Sequence, residues 1–336
     1  MGLRGAEWPV FGWADDMRPA LAKARREGRT VALATIVALD GSAPRLPGTR
    51  MVFDGAQASG HFSGGCVEAD IANHAAEVVR GGEPALLAYG RNSPWLDIRL
   101  ACGSGIEIMV ERIAPDDHGI ERLLELAARR IPALSVSDGQ SRAVAPHDGT
   151  PRLAFSRDPL RLTQSHEPPW RLVVVGGDPT ALAIAQLATQ TGFETILVRH
   201  DGPASPPPLD LADYRRGDAM LELEAIALDR WTALAIASHE PELEHGLLAA
   251  ALRGEAAYVG VQGAGSRVPQ RRARLRQSGL SGSAIARLRA PMGLAHCGKA
   301  PWEVAVSVMA DILRTREATR GAVVSSEAPA AVEPRP

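Results

Sequence analysis

Aromatic residues and long apolar runs are both scarce in this sequence. Phe, Trp and Tyr make up 4% of the 336 residues, too few for a surface that stacks single-stranded bases. The formal net charge is -2, whereas nucleic-acid-binding proteins usually carry a concentrated basic surface. No stretch approaches the roughly 18 uncharged apolar residues of a membrane span, and the N-terminus lacks a signal-peptide pattern. We therefore expect neither nucleic-acid nor membrane partners.

Cysteine is equally rare. The three cysteines are Cys66, Cys102 and Cys297, and an odd number at wide spacing does not form a disulfide framework. Free thiols are typical of a reducing compartment, so we expect a cytoplasmic protein. A structural zinc site usually shows close pairs such as C-x₂-C, and the sequence contains none.

The chain is long enough for two domains, and its pattern predicts an α/β protein. We predict an N-terminal α/β domain over residues 1–156. A polar segment that ends in two prolines predicts a linker over 157–169. Residues 170–320 begin with a strand-loop-helix-strand pattern, which favours a Rossmann-like domain with a parallel sheet. The aperiodic, Ala- and Pro-rich residues 321–336 predict a disordered tail.

Hydrophobic periodicity places the main elements. Apolar spacing typical of helices alternates with short apolar runs or alternating patterns typical of strands. The predicted helices cover 17–28, 67–79, 120–130, 180–190 and 302–314, and the clearest strands cover 31–39, 106–113, 172–175 and 193–198.

A glycine loop precedes the second predicted helix. Gly64 and Gly65 allow a ligand to approach the backbone closely. Cys66 follows them at the helix start, where backbone amides can hold an anion and lower the pKa of a thiol. Glu68, in the first turn, can complement the helix dipole or orient the loop. The simpler alternative is a tight turn with a small buried cysteine.

Cys102 lies beside a second glycine loop, Leu100-Ala101-Cys102-Gly103-Ser104-Gly105. Two cysteines in two such loops can converge on one soft ligand. We keep this interpretation beside the one in which both cysteines are structural.

The first turn of the predicted Rossmann-like domain departs from the dinucleotide-binding pattern. Gly176 and Gly177 follow an apolar strand, but Asp178 stands where a further glycine normally admits a pyrophosphate. A carboxylate there repels phosphate, so we expect weak or no NAD binding.

A later strand runs into Gly265, Ser266 and Arg267. Backbone amides and a guanidinium in that arrangement can cradle a phosphate. We interpret the arginine-rich segment that follows, residues 271–276, as a solvated helix face.

Taken together, these motifs resemble the XdhC/CoxI family, the accessory proteins of xanthine and carbon monoxide dehydrogenases. The resemblance covers nearly the whole chain. It is carried by Gly41-Ser42-Ala43-Pro44-Arg45 to Met51, Ser63-Gly64-Gly65-Cys66-Val67-Glu68, Cys102-Gly103, Pro291-Met292-Gly293-Leu294, and Pro301-Trp302-Glu303-Val304 to Ile312.

The resemblance implies a chaperone rather than an enzyme. Family members bind the molybdenum cofactor (molybdopterin), protect it while its terminal sulfur is installed by a cysteine desulfurase, and deliver it to a molybdenum hydroxylase apo-enzyme of the xanthine dehydrogenase type. It also implies a homodimer. The expected cofactor-binding residues are Cys66, which is also the expected molybdenum contact, Cys102, Gly64, Gly65, Glu68, Arg45, Gly176, Gly177, Ser266 and Arg267.

Departures from the family pattern concentrate in the second domain. The family's GGGH segment reads Gly176-Gly177-Asp178-Pro179, and its Thr-His-Asp reads Ser238-His239-Glu240. The second domain is therefore expected to bind its ligand differently or to serve dimerisation. Two other functions stay open: an NAD(P)-linked oxidoreductase, and a sulfur carrier with a persulfide on Cys66.

Overall fold

The chain divides into two units that arrange their strands differently. The computed structural model describes residues 15–41, 45–55, 57–63, 67–90, 105–238 and 240–321. The first unit extends to Pro168, and the second runs from Pro169 to Arg320. Among the described residues, no helix is long and apolar enough to cross a membrane.

The first unit combines helices with antiparallel strands. Its helices are α1 (Arg18–Arg26), α2 (Glu68–Gly81) and α3 (His118–Ala128). Its strands are β1 (Val31–Asp40), β2 (Arg50–Phe53), β3 (Ala58–Ser59), β4 (Ala85–Gly90), β5 (Gly105–Ile113), β6 (Ala133–Ser137), β7 (Arg142–Pro146), β8 (Leu153–Arg157) and β9 (Leu160–His166).

A five-stranded antiparallel sheet, in the order β3-β2-β1-β5-β4, forms the centre of this unit. Side chains alternate along β1, so its two faces bury different residues. Ala32, Ala34 and Ile36 pack with the apolar side of α2, while Val31 and Leu33 pack with α1 and α3. Both faces are covered, which explains why β1 has the continuous apolar run that the sequence shows.

Residues 160–166, which the sequence predicts as linker, form strand β9 instead. This strand pairs with β6 and β8 in a second antiparallel sheet, in the order β7-β6-β9-β8. The segment is polar, and its buried histidine is bonded at both ring nitrogens. Nδ1 of the buried His166 lies 3.0 Å from an Arg50 nitrogen, and its Nε2 lies 2.8 Å from Ser135 Oγ. Burial and the Arg50 charge hold the pKa of His166 well below its usual value.

Charged groups join the two sheets of the first unit. Arg142 on β7 donates to Glu111 on β5 at 2.7 Å and to Asp117, the N-cap of α3, at 3.1 Å. Ser137 on β6 also donates to Glu111. The side chains of Arg142 and Glu111 are only 7% and 2% exposed. A buried ion pair is tolerated when further hydrogen bonds complete it, as they do here.

The second unit has the predicted parallel sheet. Its strands are β10 (Arg171–Gly176), β11 (Glu194–Val198), β12 (Asp213–Arg215), β13 (Thr232–Ala237), β14 (Tyr258–Val261) and β15 (Leu288–Arg289). Its helices are α4 (Pro179–Gln190), α5 (Ala219–Ile226), α6 (Pro241–Arg253), α7 (Val268–Gln277), α8 (Gly282–Ala286) and α9 (Pro301–Gly321).

The strand order β12-β11-β10-β13-β14-β15 is that of a Rossmann fold. Helices cover both faces of this sheet. Val173 and Val175 pack on the side of α5 to α8, and Leu172 and Val174 pack on the side of α4 and α9. The order reverses between β10 and β13, so the switch-point crevice lies at the carboxyl ends of these two strands.

Candidate functional site

Glu68 fixes both ends of the glycine loop in the first unit. Its Oε1 accepts the backbone N–H groups of Phe62 at 3.0 Å and Ser63 at 2.7 Å. Its Oε2 accepts the Ser63 hydroxyl at 2.8 Å and the Val67 amide at 3.2 Å. Burial opposes ionisation, but these hydrogen bonds outweigh it and lower the pKa of Glu68 to about 2. Glu68 is therefore a carboxylate at neutral pH and orients the loop.

Three predicted site residues within this loop, Gly64, Gly65 and Cys66, lie outside the described residues, as does Cys102. The segments that flank them are described. Ser63 and Val67 border the first loop, and β5 begins at Gly105, directly after the second.

The flanking segments converge at one end of the first sheet. Gly105 pairs with Asp40 at the end of β1 and with Gly90 at the end of β4. Tyr89, beside Gly90, donates a 2.7 Å hydrogen bond to Asp70 in the first turn of α2. The start of α2 and the strand ends that border residues 91–104 are therefore neighbours. This is the arrangement that a shared ligand for the two loops requires.

Arg45 adds a positive charge beside this loop. One of its terminal nitrogens pairs with Asp15. Its Nε is buried and has no hydrogen-bond partner among the described residues. The pKa of His61 is lowered by burial first and then by the charge of Arg45, so the two side chains lie near each other. Sequence reasoning missed His61, although it stands directly before Phe62.

In the first turn of the second unit, atoms of the same unit leave little room for a ligand beside Gly176 and Gly177. A Cβ at Gly176, where φ is +146°, would collide with the carbonyl oxygen of Ala237. A Cβ at Gly177 would collide with the guanidinium of Arg199. Asp178 caps α4 by accepting the Ala181 amide at 2.8 Å. The two glycines thus permit close packing within the unit, and a carboxylate already occupies the helix end where pyrophosphate would bind.

A basic cavity lies between α6 and α7, the helices that follow β13 and β14. The cavity is about 260 Å³ in volume and lies between the first turns of α6 and α7. Arg267, for which the sequence predicts phosphate binding, lines it, whereas Ser266 does not; both residues are exposed. Its polar lining consists of Glu244, His245, Arg267, Gln270, Arg271 and Arg274.

The prediction that residues 271–276 form a solvated helix face is wrong for Arg271. The Arg271 side chain is only 12% exposed and donates to Glu244 at 2.6 Å. Arg274 lines the same cavity and pairs with Glu242. The spacing of Arg267, Arg271 and Arg274, four and then three residues apart, places them on one side of the helix and is the signal that would have found them.

Metal ligands do not cluster in the described part of the chain. No group of three or more His, Cys, Asp or Glu side chains there could hold a metal ion. The free thiol that the structure describes, Cys297, is exposed in the second unit.

Curated proteins provide two full-length comparisons. The chain is 27% identical over 306 residues to the Escherichia coli protein named molybdenum cofactor insertion chaperone PaoD, with 90% of this chain and 89% of PaoD covered. It is 24% identical to a Bacillus subtilis protein named as a probable subunit of xanthine dehydrogenase, with 85% of this chain and 93% of that protein covered.

A solved structure and two family models agree with these relatives. The crystal structure of a xanthine dehydrogenase from Bacillus halodurans superposes with a TM-score of 0.74 at 20% identity, covering 93% of this chain and 98% of that one. This likeness shows a common fold. Residues 24–90 match the model of the XdhC and CoxI family, and residues 172–312 match the XdhC Rossmann domain. Because both units match models of one family, the chain belongs to the XdhC and CoxI family.

Proposed function

We propose that this chain is a chaperone of the molybdenum cofactor. It binds molybdopterin, protects it during sulfuration, and delivers it to the apo-enzyme of a xanthine-dehydrogenase-type molybdenum hydroxylase. The similarity to PaoD supports the cofactor assignment. The structural observation that carries the proposal is the loop of the first unit, which Glu68 holds in place, together with the buried Nε of Arg45, which has no hydrogen-bond partner among the residues that the structure describes.

The residues around this loop suit an anionic, sulfur-rich cargo. The cofactor carries a phosphate, and a buried guanidinium N–H without an acceptor is costly until such a group binds it. We therefore assign Arg45 to the phosphate. Glu68 is a positioning residue, since its oxygens are used by loop amides and a hydroxyl. We propose that Cys66 supplies the thiolate next to molybdenum and that Cys102 assists it.

We also propose that the chain acts as an accessory factor and not as an NAD(P)-linked oxidoreductase. Asp178 fills the helix end that would hold a pyrophosphate, and Arg199 packs against Gly177. Its proposed partners are the hydroxylase apo-enzyme, a cysteine desulfurase and a second copy of the chain.

Cofactor retention by cysteine variants tests the proposal. We expect Cys66→Ser protein, isolated from cells that make the cofactor, to be folded but to lack molybdenum. Cys102→Ser should retain a reduced amount. Cys297→Ser is the matched control because Cys297 is an exposed thiol in the other unit, and it should retain the wild-type amount. Wild-type molybdenum content in Cys66→Ser would refute the thiol assignment.

The sulfur-carrier alternative needs a different measurement. If sulfur passes through the chain covalently, incubation with a cysteine desulfurase and cysteine adds one sulfur atom to Cys66, which intact-protein mass spectrometry detects. For a chaperone that only holds the cofactor, we expect no such mass increase.

A further inference from the structure

Three arginines face the cavity between α6 and α7 in the second unit. Arg267 ends the short 3-10 helix that precedes α7, and Arg271 and Arg274 follow on the same side of α7. The cavity volume of about 260 Å³ far exceeds the roughly 30 Å³ of one water molecule and lies near the lower end of small-ligand pockets. It can therefore admit a small anion or the anionic end of a larger ligand.

The charges around the cavity do not balance. Glu244 pairs with Arg271, and the exposed Glu242 pairs with Arg274. Arg267 forms no ion pair with any residue that the structure describes. Two of the three guanidinium groups are therefore paired with a carboxylate, and Arg267 leaves one positive charge in excess. Burial, followed by the charge of Arg274, lowers the pKa of the cavity residue His245, so the imidazole adds no charge at neutral pH.

Arg271 has an unused donor. Its Nη2 donates to Glu244 at 2.6 Å and to the carbonyl oxygen of Gln262 at 3.0 Å. Its Nη1 is buried without a hydrogen-bond partner among the described residues. A buried charged N–H group without an acceptor is uncommon in native proteins.

The start of α7 also favours an anion. Its first turn contains no acidic residue, and its N-cap, Arg267, makes no side-chain cap bond. The partial positive charge at this helix end therefore has no carboxylate beside it. At α4, by contrast, Asp178 provides that carboxylate.

From the cavity, its three arginines and their excess positive charge, we propose that the second unit binds a phosphate-bearing small molecule through Arg267, Arg271 and Arg274. This inference goes beyond the proposed chaperone function, because it assigns an anion site in the second unit that is independent of the cysteine loops of the first. It extends the phosphate role predicted for Arg267 to two further arginines.

Calorimetric titration of the full chain with inorganic pyrophosphate, at physiological ionic strength, tests the site without any molybdenum species. We expect saturable binding with one site per chain. Arg267→Gln and Arg274→Gln should each weaken the affinity by about tenfold or more, since each removes a charge-assisted hydrogen bond. Arg271→Gln is combined with Glu244→Gln, so that no carboxylate is left unpaired in the interior, and should abolish binding.

Arg272→Gln and Arg276→Gln are matched controls. Both arginines lie on α7, are exposed, and do not line the cavity. We expect both variants to bind pyrophosphate as the wild type does. The proposal is overturned if the wild type shows no saturable binding, if Arg267→Gln and Arg274→Gln bind normally, or if the control variants lose affinity to the same degree.

Discussion

Both units contain a buried glutamate–arginine pair, and the two pairs are completed differently. In the first unit, Arg142 bonds both Glu111 and Asp117, and Ser137 bonds Glu111. In the second unit, Arg271 bonds Glu244, but one of its nitrogens has no acceptor among the described residues, and the pair borders a cavity. The first pair, completed by Asp117 and Ser137, holds two sheets together, whereas the second borders a cavity lined by further arginines and is suited to a ligand site.

Removing the fully bonded carboxylate should have the largest effect. We expect Glu111→Ala to lower the free energy of unfolding by about 3–5 kcal/mol, because it leaves Arg142 charged, buried and partly unbonded. Urea unfolding followed by circular dichroism measures the change, and hydrogen exchange should locate it in β5 to β7. Glu107→Ala is the control on the same strand. Its partner Arg157 is 69% exposed, so the loss should be about 1 kcal/mol or less.

Removing the corresponding carboxylate of the second unit should cost less. We expect Glu244→Ala to lower the free energy of unfolding by about 1–2 kcal/mol, since Arg271 keeps its bond to the carbonyl oxygen of Gln262 and the space that the Glu244 side chain vacates opens onto the cavity that Glu244 lines. Glu242→Ala, with a carboxylate that is 85% exposed, should change stability little. If Glu244→Ala were as damaging as Glu111→Ala, the distinction between a structural pair and a ligand-binding pair would fail.

The two units can also be compared at a carboxylate that accepts backbone N–H groups of a turn. In the first unit this carboxylate is Glu68. We expect Glu68→Gln to lower the free energy of unfolding at pH 7 by about 1–2 kcal/mol, since Glu68 is partly exposed and solvent screening reduces the effect. Glu77→Gln, on the exposed side of the same helix, is the control and should be neutral.

The pH dependence of the Glu68 effect has a definite sign. The pKa of Glu68 is about 2 in the folded chain, below the value of roughly 4.3 for an unfolded glutamate. Its stabilisation is therefore complete above about pH 5 and disappears as the pH falls towards 2. The stability gap between wild type and Glu68→Gln should close over that interval. A gap that does not change with pH would contradict this role.

The corresponding carboxylate of the second unit is Asp178. We expect its removal to lower the free energy of unfolding less than Glu68→Gln does. Asp178→Ala removes the N-cap of α4 and should lower the free energy of unfolding by about 1 kcal/mol. The wild type should show weak or no binding of NAD in calorimetry. Tight NAD binding by the wild type would contradict the interpretation of this turn.

The smallest effect on monomer stability is expected at the exposed apolar residues of α9. Trp302 and Val306 are 51% and 56% exposed. Replacing both by serine should change the free energy of monomer unfolding by about 0.5 kcal/mol or less. If α9 forms the proposed homodimer contact, the same variant should become monomeric in light scattering. A wild type that is monomeric at every concentration would refute the homodimer itself.

The second unit was largely predictable from sequence, because its strands are buried on both faces. Val173 and Val175 pack against the helices on one face of the sheet, and Leu172 and Val174 pack against those on the other. The strand therefore appears in the sequence as a continuous apolar run. The parallel sheet followed from that pattern and was confirmed.

The errors arose where polar residues are buried. Strand β9 looks like a linker because Thr163 and His166 are polar, yet both are buried. The side chains that bond His166, namely those of Arg50 and Ser135, lie far away in sequence, and no local pattern reveals them. Arg271 was missed because its partner Glu244 lies on another helix, although its spacing from Arg267 and Arg274 was a usable local signal. Glu68 was found because the residues that it bonds lie only one to six positions away.

The Arg50–His166 contact has a consequence for how the first unit is made. The two residues are 116 positions apart, so ribosomal synthesis must pass β9 before Arg50 meets its imidazole partner. In a nascent or truncated chain that ends at residue 156, Ser135 and Arg50 would lack the imidazole that they contact. Strand β6 would also lack its partner β9 and leave an open strand edge. We therefore expect a fragment of this unit that extends through His166 to fold more stably than one that ends at residue 156.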